Sequence, residues 1–430
     1  MDINALYGKD SGKDGGKDGG KDHGTAGPRK RTSFAWACAL AAGLGLAFLT
    51  GCEPFGDDAD DGGTVRETAA LRPILKDATD ERVASLWKPS GFQVKVFARD
   101  LGHARMIAVA PDSTIYLTCP RDMQVKILRD ADGDGLNDTT RVGLDNLPDV
   151  HGILVVQDWL YLAGVNTVWR SKRAADGTLG TPEVLIDTLP SGGQHPYRTL
   201  GLGPDGKLYI SVGSTCNACA EPDPLHAAIL RSDLDGKNLE VFASGLRNTL
   251  GFGWHPETAE MWGMDNGSDA LGDDQPPEEL NLLKQGAHYG WPYAWGKRKI
   301  DPVIDHPFGT TKEAFAENTE PSFLEYQAHS APIGMAIYTG AHFPDHYRNG
   351  AFVAFRGSWN RIPATGYKIA FIPFSGGKPQ GFEDFITGFL IENGQAQFGR
   401  VAGIAMAADG SLLFTDDSNG VMYRAAYTGP

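Results

Sequence analysis

From about residue 90 onward the chain repeats one short pattern. A polar turn carrying Asp with Gly or Pro is followed by an apolar run with Tyr, Trp or Phe. The instances are APDSTIYLT (110–118), VQDWLYLA (156–163), GPDGKLYIS (203–211), HPETAEMWGM (255–264), RNGAFVAF (348–355) and AADGSLLFT (407–415). Runs of this length, bounded by turn residues, read as strands rather than helices. The first three turns lie 46 and 47 residues apart, and later gaps widen through insertions. Six such units predict an all-β fold, a six-bladed β-propeller of four-stranded antiparallel sheets. A β-sandwich with chance similarity would not keep the period. The turn Gly201–Gly206 spells GxGxxG but leads into the strand-like KLYISV, whereas a dinucleotide fingerprint opens a helix.

The pattern is missing from the first 84 residues. Four Lys-Asp pairs recur in a Gly-rich stretch from Lys9 to Asp22, followed by Arg29-Lys30-Arg31 and an uncharged run, Phe34 to Gly51. A basic front end, an apolar run and small residues at its close make a signal peptide. It ends Leu49-Thr50-Gly51-Cys52, which resembles a bacterial lipobox, with Cys52 the lipidated residue. An uncleaved membrane anchor is the alternative. The expected organisation is residues 1–51 as a low-complexity region plus lipoprotein signal, 52–84 as an acidic tether, and 85–430 as the propeller. Either way the body is exported, membrane-anchored, and faces the periplasm or exterior.

Charge narrows the function classes. The 430 residues carry 39 Lys and Arg against 54 Asp and Glu, a net −15. An acidic body without a basic stripe is not a nucleic-acid binder, whose affinity comes from phosphate neutralisation. Outside the signal and lipobox, Cys119, Cys216 and Cys219 remain. Cys216-Asn217-Ala218-Cys219 fits a redox pair, half a zinc site, a haem attachment or a local disulfide. Ala220 stands where haem attachment needs His, and no second CxxC completes a zinc site. An oxidising compartment favours a disulfide. Cys119 is expected to be buried and free.

Two groups of residues suggest chemistry. Asp130, Asp132, Asp134 and Asp138 occupy positions 1, 3, 5 and 9 of a tight loop, spacing that suits a hard cation, and a structural Ca²⁺ is expected there. Position 12 is Arg141 and the flanks are strand-like, so this is not an EF-hand. The second group is dispersed. It comprises Gly193-Gln194-His195-Pro-Tyr-Arg198, Gly245-Leu-Arg247-Asn248, Met264-Asp-Asn-Gly267-Ser268, Glu278-Glu-Leu-Asn281, His288-Tyr-Gly-Trp-Pro292, His329-Ser-Ala-Pro332, Gly357-Ser-Trp-Asn-Arg361 and Phe398-Gly-Arg400. Singly, each has an ordinary structural reading; their order is the signal.

HxxxxLxxGPDGKLY, GLRNxxGF, PPEELNLLxxGxHYGWP and SAPIGM together resemble the glucose/sorbosone dehydrogenase family over roughly residues 85–427. Members are soluble quinoprotein propellers using pyrroloquinoline quinone (PQQ) and Ca²⁺, and the likeness is nearest the sorbosone dehydrogenase-like branch. The resemblance implies oxidation of an aldose or sugar aldehyde by hydride transfer to the quinone, with electrons passed to an external cytochrome or quinone. It implies His195 as base and Arg247 as the oxyanion-side group. Gln194, Arg247, Asn248, His329, Arg361 (or Arg356) and Arg400 become cofactor contacts. The main-chain carbonyls of Gly267 and Ser268 become ligands of the catalytic calcium.

The sequence departs from the family at two points. Ser214 stands where glucose-oxidising members place an Asp beside the catalytic histidine, and Val150 and His151 replace an early glutamine contact. A serine can hydrogen-bond imidazole but does not stabilise its cation as a carboxylate does. Two other classes stay open: a non-catalytic sugar-binding propeller and a calcium-dependent lactonase-type propeller hydrolase.

Overall fold

The computed structural model describes residues 70–429; the signal, Cys52 and most of the expected tether lie outside them. Six four-stranded antiparallel sheets form the blades of a β-propeller. Blade 1 begins with Ile107–Val109, blade 2 with Gly152–Val156, blade 3 with Leu200–Leu202 and blade 4 with Thr249–Trp254. Blades 5 and 6 begin with Pro332–Ile337 and Val401–Met406. These first strands pack on one another around the axis, where Leu250, Ile333 and Ala402 form a small buried plug. Among the described residues no helix is long and apolar enough to cross a membrane.

Each sequence repeat is the hairpin between the first and second strands of a blade. In blade 3, for example, Leu200–Leu202 pairs with Leu208–Val212 through Gly203–Lys207. Second strands are the most apolar segments: Ile115–Cys119, Leu208–Val212 and Ala351–Phe355 are buried throughout. Buried on both faces, they need no alternation of polar residues. Between blades 5 and 6 the core is aromatic. Phe92 meets Phe343, Phe385 and Tyr347 edge-on at 4.8, 5.0 and 5.2 Å.

The ring closes by joining the two ends of the propeller. Phe92–Ala98 is the outer strand of blade 6 and pairs antiparallel with Val421–Tyr427. The boundary of the expected tether is corrected here. Ile74–Leu75 pairs with Ala396–Gln397, Asp80–Ala84 is a short helix capped by Thr79, and Ala78 and Val83 are buried in the core. Residues 74–84 therefore belong to the folded body, held by the strand pairing of Ile74–Leu75 and by the burial of Ala78 and Val83.

Candidate active site at the channel mouth

Antiparallel pairing puts the start of each first strand and the end of each second strand at the same rim. The polar residues concentrate there: Arg105 and His151 before blades 1 and 2, and His195 and Arg247 before blades 3 and 4. His329 and Arg400 stand before blades 5 and 6, while Ser214, Asp265, Arg356 and Asp416 follow or end second strands.

On the side of blades 3 and 4, Ser214 is the junction. Its N–H donates to the Arg247 carbonyl at 2.8 Å, and its hydroxyl donates to the Cys216 carbonyl at 2.7 Å. His195 Nδ1 lies 2.8 Å from Ser214 Oγ and 3.2 Å from the Ser214 carbonyl. A carbonyl only accepts, and the hydroxyl proton is already used, so Nδ1 carries the hydrogen and Nε2 keeps its lone pair. Burial, then the charge of Arg247, hold the imidazole well below the ordinary histidine range. Ser214 thus fixes a neutral tautomer without supplying a carboxylate. Gly213 permits the close approach, since a Cβ there would lie 2.4 Å from the His195 Cβ and 2.8 Å from Asn248 Oδ1.

Arg247 is buried and clamped. Nε donates to the Asn217 carbonyl and Nη2 to Asn217 Oδ1, both at 2.9 Å, and Nη2 also reaches Asp269 at 3.0 Å. These contacts leave the Nη1 edge for a ligand. Asp265 gathers the backbone N–H groups of Arg247 and Asn248 at 2.9 and 2.8 Å. Glu278 bridges the N–H groups of Gly267 and Ala331 at 3.0 and 2.8 Å. Burial pushes Asp265 up to about 6, Glu278 to about 8 and Glu279 to about 7. All three acids lie in the motifs quoted from the sequence, Asp265 in Met264–Ser268 and Glu278 and Glu279 in Glu278–Asn281, but the sequence assigned them no role. A cleft beside them is lined by Gly245, Arg247, Asn266, Gly267, Ser268 and Trp291.

Across the rim, Asp417 receives Arg105 Nη1 at 2.5 Å and Arg356 at 2.7 and 3.1 Å. Arg400 spans the carbonyls of Arg356 and Gly357 and faces the Tyr367 ring. Burial opposes ionisation of Asp417, but Arg356 and then Arg105 hold it far below the usual carboxylate range. Its neighbour Asp416, which accepts only N–H groups, is pushed by burial up to about 7. Burial and Arg105 lower His103 to about 4. Three guanidinium groups therefore surround one ionised carboxylate. That surplus fits a ligand bearing several carboxylates, as PQQ does. Arg105 and Asp417 were not singled out in the sequence, where each is an isolated charge beside a strand.

The remaining expected residues divide. Arg356, not Arg361, joins Arg400; Arg361 is tied to the loop carrying Asp273 and Asp274 through the Asp273 carbonyl and the Asp274 carboxylate, and to its own loop through the Pro363 carbonyl. His329 is buried with Nε2 2.8 Å from the Gly272 carbonyl and Nδ1 3.9 Å from Asp269. Gln194 is exposed, and its N–H donates to Thr215. His151 accepts from Arg105 and stacks on Tyr197. Cys216 and Cys219 form a disulfide; Cys119 is free and buried, its thiol pushed up to about 12 by burial.

The acidic hairpin of blade 1 is a separate feature between third and fourth strands. Asp130, Asp132 and Asp138 bring carboxylate oxygens within 4.8 Å of one another. Asp134 does not join them and instead caps the Leu136 N–H at 2.8 Å, so the expected four-aspartate set reduces to three.

A TrAA12-like family model matches residues 87–426. The calcium structure of a Trichoderma reesei carbohydrate-active enzyme of family AA12 superposes with a TM-score of 0.70 at 19% identity, covering 82% of this chain and 98% of that one. The holo form of the pyranose dehydrogenase PQQ domain from Coprinopsis cinerea gives 0.68 at 19% identity, covering 80% and 97%. Likeness at this identity supports the shared fold. An uncharacterised protein of Borreliella burgdorferi is 38% identical over 228 residues, 52% of this chain and 58% of that protein, so the chain spans less than two thirds of that relative.

Proposed function

Because the chain belongs to the TrAA12-like family, we propose that it is a PQQ- and Ca²⁺-dependent oxidoreductase of an aldose or sugar aldehyde, passing electrons to an external acceptor. The observation that carries this reading is the surplus of guanidinium at the channel mouth, where Arg105, Arg356 and Arg400 face one ionised carboxylate, Asp417. When bound, PQQ supplies the two-electron acceptor and Ca²⁺ the Lewis acid. The protein does the rest. Arg105, Arg356 and Arg400 would hold the cofactor carboxylates, and the Gly267 and Ser268 carbonyls would offer hard oxygen donors to calcium. His195 Nε2 takes the proton from a substrate hydroxyl, or from the hydrate of an aldehyde, while Ser214 holds Nδ1–H in place. Arg247 presents fixed positive charge where negative charge develops.

The Leu49–Cys52 segment supports export with a lipid on Cys52, which places the electron acceptor outside the cytoplasm. Cys52→Ser should release the protein from membranes or stall its processing; unchanged retention with normal processing would refute lipidation of Cys52. For the activity, apoprotein is titrated with PQQ at fixed Ca²⁺, then assayed with a panel of aldoses and aldehydes and an artificial dye. A saturable change in the quinone spectrum and dye reduction with a sugar are expected. Failure to bind PQQ refutes the reading, and binding without turnover leaves a non-catalytic propeller.

A further inference from the structure

The segment between Ser214 and Glu221 has no part in the chemistry proposed above, yet it contacts Arg247, Asp269, Trp291 and the Ser214 hydroxyl beside His195. Cys216 and Cys219 are joined, and Thr215 ties the loop back to the Glu221 carboxylate through its N–H at 2.6 Å and its hydroxyl at 2.9 Å. Asn217 sits at the apex. Its carbonyl accepts from Arg247 Nε at 2.9 Å and from Trp291 Nε1 at 3.3 Å. Its Oδ1 accepts from Arg247 Nη2 at 2.9 Å and the Asp269 N–H at 2.7 Å, while Nδ2 donates to the Asp269 carbonyl at 3.1 Å.

Asn217 therefore offers Arg247 two oxygens side by side. A carboxylate offers the same fork, but with a negative charge that would cancel the guanidinium. An amide oxygen paired with a backbone carbonyl orients the group without adding a second negative charge to that of Asp269, which Nη2 already meets at 3.0 Å. The same residue pins Asp269, which follows directly on Gly267 and Ser268. The loop also reaches His195, because the Cys216 carbonyl takes the Ser214 hydroxyl proton that would otherwise compete with imidazole Nδ1.

We propose that the disulfide-closed loop 216–219 is the positioning element of this site, with Asn217 as a neutral fork that aims Arg247 and anchors the Gly267–Ser268 turn. This rests on the reading of the site as a PQQ centre. Asn217 is a positioning residue, since it acts through Arg247 and Asp269. A loop serving only to brace blade 3 would contribute to thermal stability and leave ligand affinity alone. A neutral fork makes a different demand: both its geometry and its lack of a charge beyond that of Asp269 must matter.

The test uses the full-length protein, with Asn217→Ala, Asn217→Asp and the double variant Cys216→Ser/Cys219→Ser. PQQ is titrated at fixed Ca²⁺ and followed by absorbance, and melting is recorded without cofactor. The double variant should bind PQQ about tenfold more weakly. Asn217→Ala should lose at least as much, and Asn217→Asp the most, because it adds a second negative charge beside Asp269 at the Arg247 guanidinium. All three should keep a cooperative melt. Lowered melting temperatures with parental PQQ affinity would overturn the proposal, as would Asn217→Asp binding as well as the parent. Crystal structures of the variants give a readout that needs no cofactor. The Arg247 guanidinium should leave its place in Asn217→Ala and in the double variant; an unmoved guanidinium in both would refute positioning. If the parent itself binds no PQQ, the functional reading fails, and these structures still decide the positioning claim.

Discussion

The two sides of the channel mouth solve opposite electrostatic problems. On the side of blades 3 and 4, burial and the Arg247 charge keep His195 neutral, while hydrogen bonds with assigned directions fix its tautomer and aim Arg247. On the side of blades 1, 5 and 6, charge number dominates: Arg105, Arg356 and Arg400 crowd one carboxylate, and His103 stays neutral beside them. The first arrangement suits a proton acceptor that must be ready at one atom. The second suits retention of an anion, where total field counts more than any single direction. The adjacent Asp416 and Asp417 show how local this control is. Both are buried, but only the one touching guanidinium is ionised throughout the physiological range.

Removing the proton acceptor should give the largest effect. His195→Ala is expected to lower turnover by about 10²–10⁴-fold while PQQ titration stays close to parental. In the parent, the depressed imidazole pKa should keep the base neutral as pH falls, placing the acid limb of kcat/KM below the usual histidine range near 6.5. An acid limb at 7 or above would contradict the neutral site.

Next in size is Asp417→Asn. It strips Arg105 and Arg356 of their ionised partner and Arg400 of a nearby countercharge, and should cost about 3–5 kcal/mol in chemical denaturation, with part of the loss recovered on adding PQQ. A variant as stable as the parent would mean the arginines carry their own compensation.

Asp416→Asn should be far milder, about 1 kcal/mol at pH 5, where the parent carboxyl is already protonated. The sign follows from linkage. The folded-state value of about 7 lies above the ordinary 3.8, so Asp416 contributes stability that is complete below about 4 and lost as pH rises through 7. The parent's advantage over the variant should shrink across that window; a constant difference would remove Asp416 from the pH response. Smallest is Ser214→Ala. The Ser214 carbonyl still accepts from Nδ1, so turnover should fall by less than about tenfold, in kcat more than KM.

How much of this was legible follows from where the repeats lie. The aspartate–glycine turns mark the hairpins joining first and second strands, at the rim opposite the chemistry. Their regularity revealed the blades and, through them, the architecture. His195 and Arg247 were found because they sit in motifs of distinctive spelling. Arg105 and Asp417 were missed because their meaning lies in a contact across the ring seam, which joins residues 312 positions apart and leaves no local pattern. Arg356 and Arg361 could not be separated by spacing, since five residues of loop allow either to turn inward. The burial of Asp265, Glu278 and Glu279 was equally hidden. An acid reads as solvated in sequence unless its N–H partners are known, and here those partners are backbone groups of other loops.

The closure of the ring through Phe92–Ala98 and Val421–Tyr427 also sets an order of events in biosynthesis. Five blades are local meanders that can form as the chain emerges, but the sixth needs a strand made first and strands made last. That pairing carries the loop-closure cost of the whole propeller and comes late. Arg400, Asp416 and Asp417 belong to this last blade, while Arg105 waits at the head of the first. The anion-holding side of the mouth therefore does not exist until the seam is zipped. A chain released before its final strand is added would be an open ring with two unpaired sheet edges. It would have His195 and Arg247 in place but nothing opposite them to hold a cofactor.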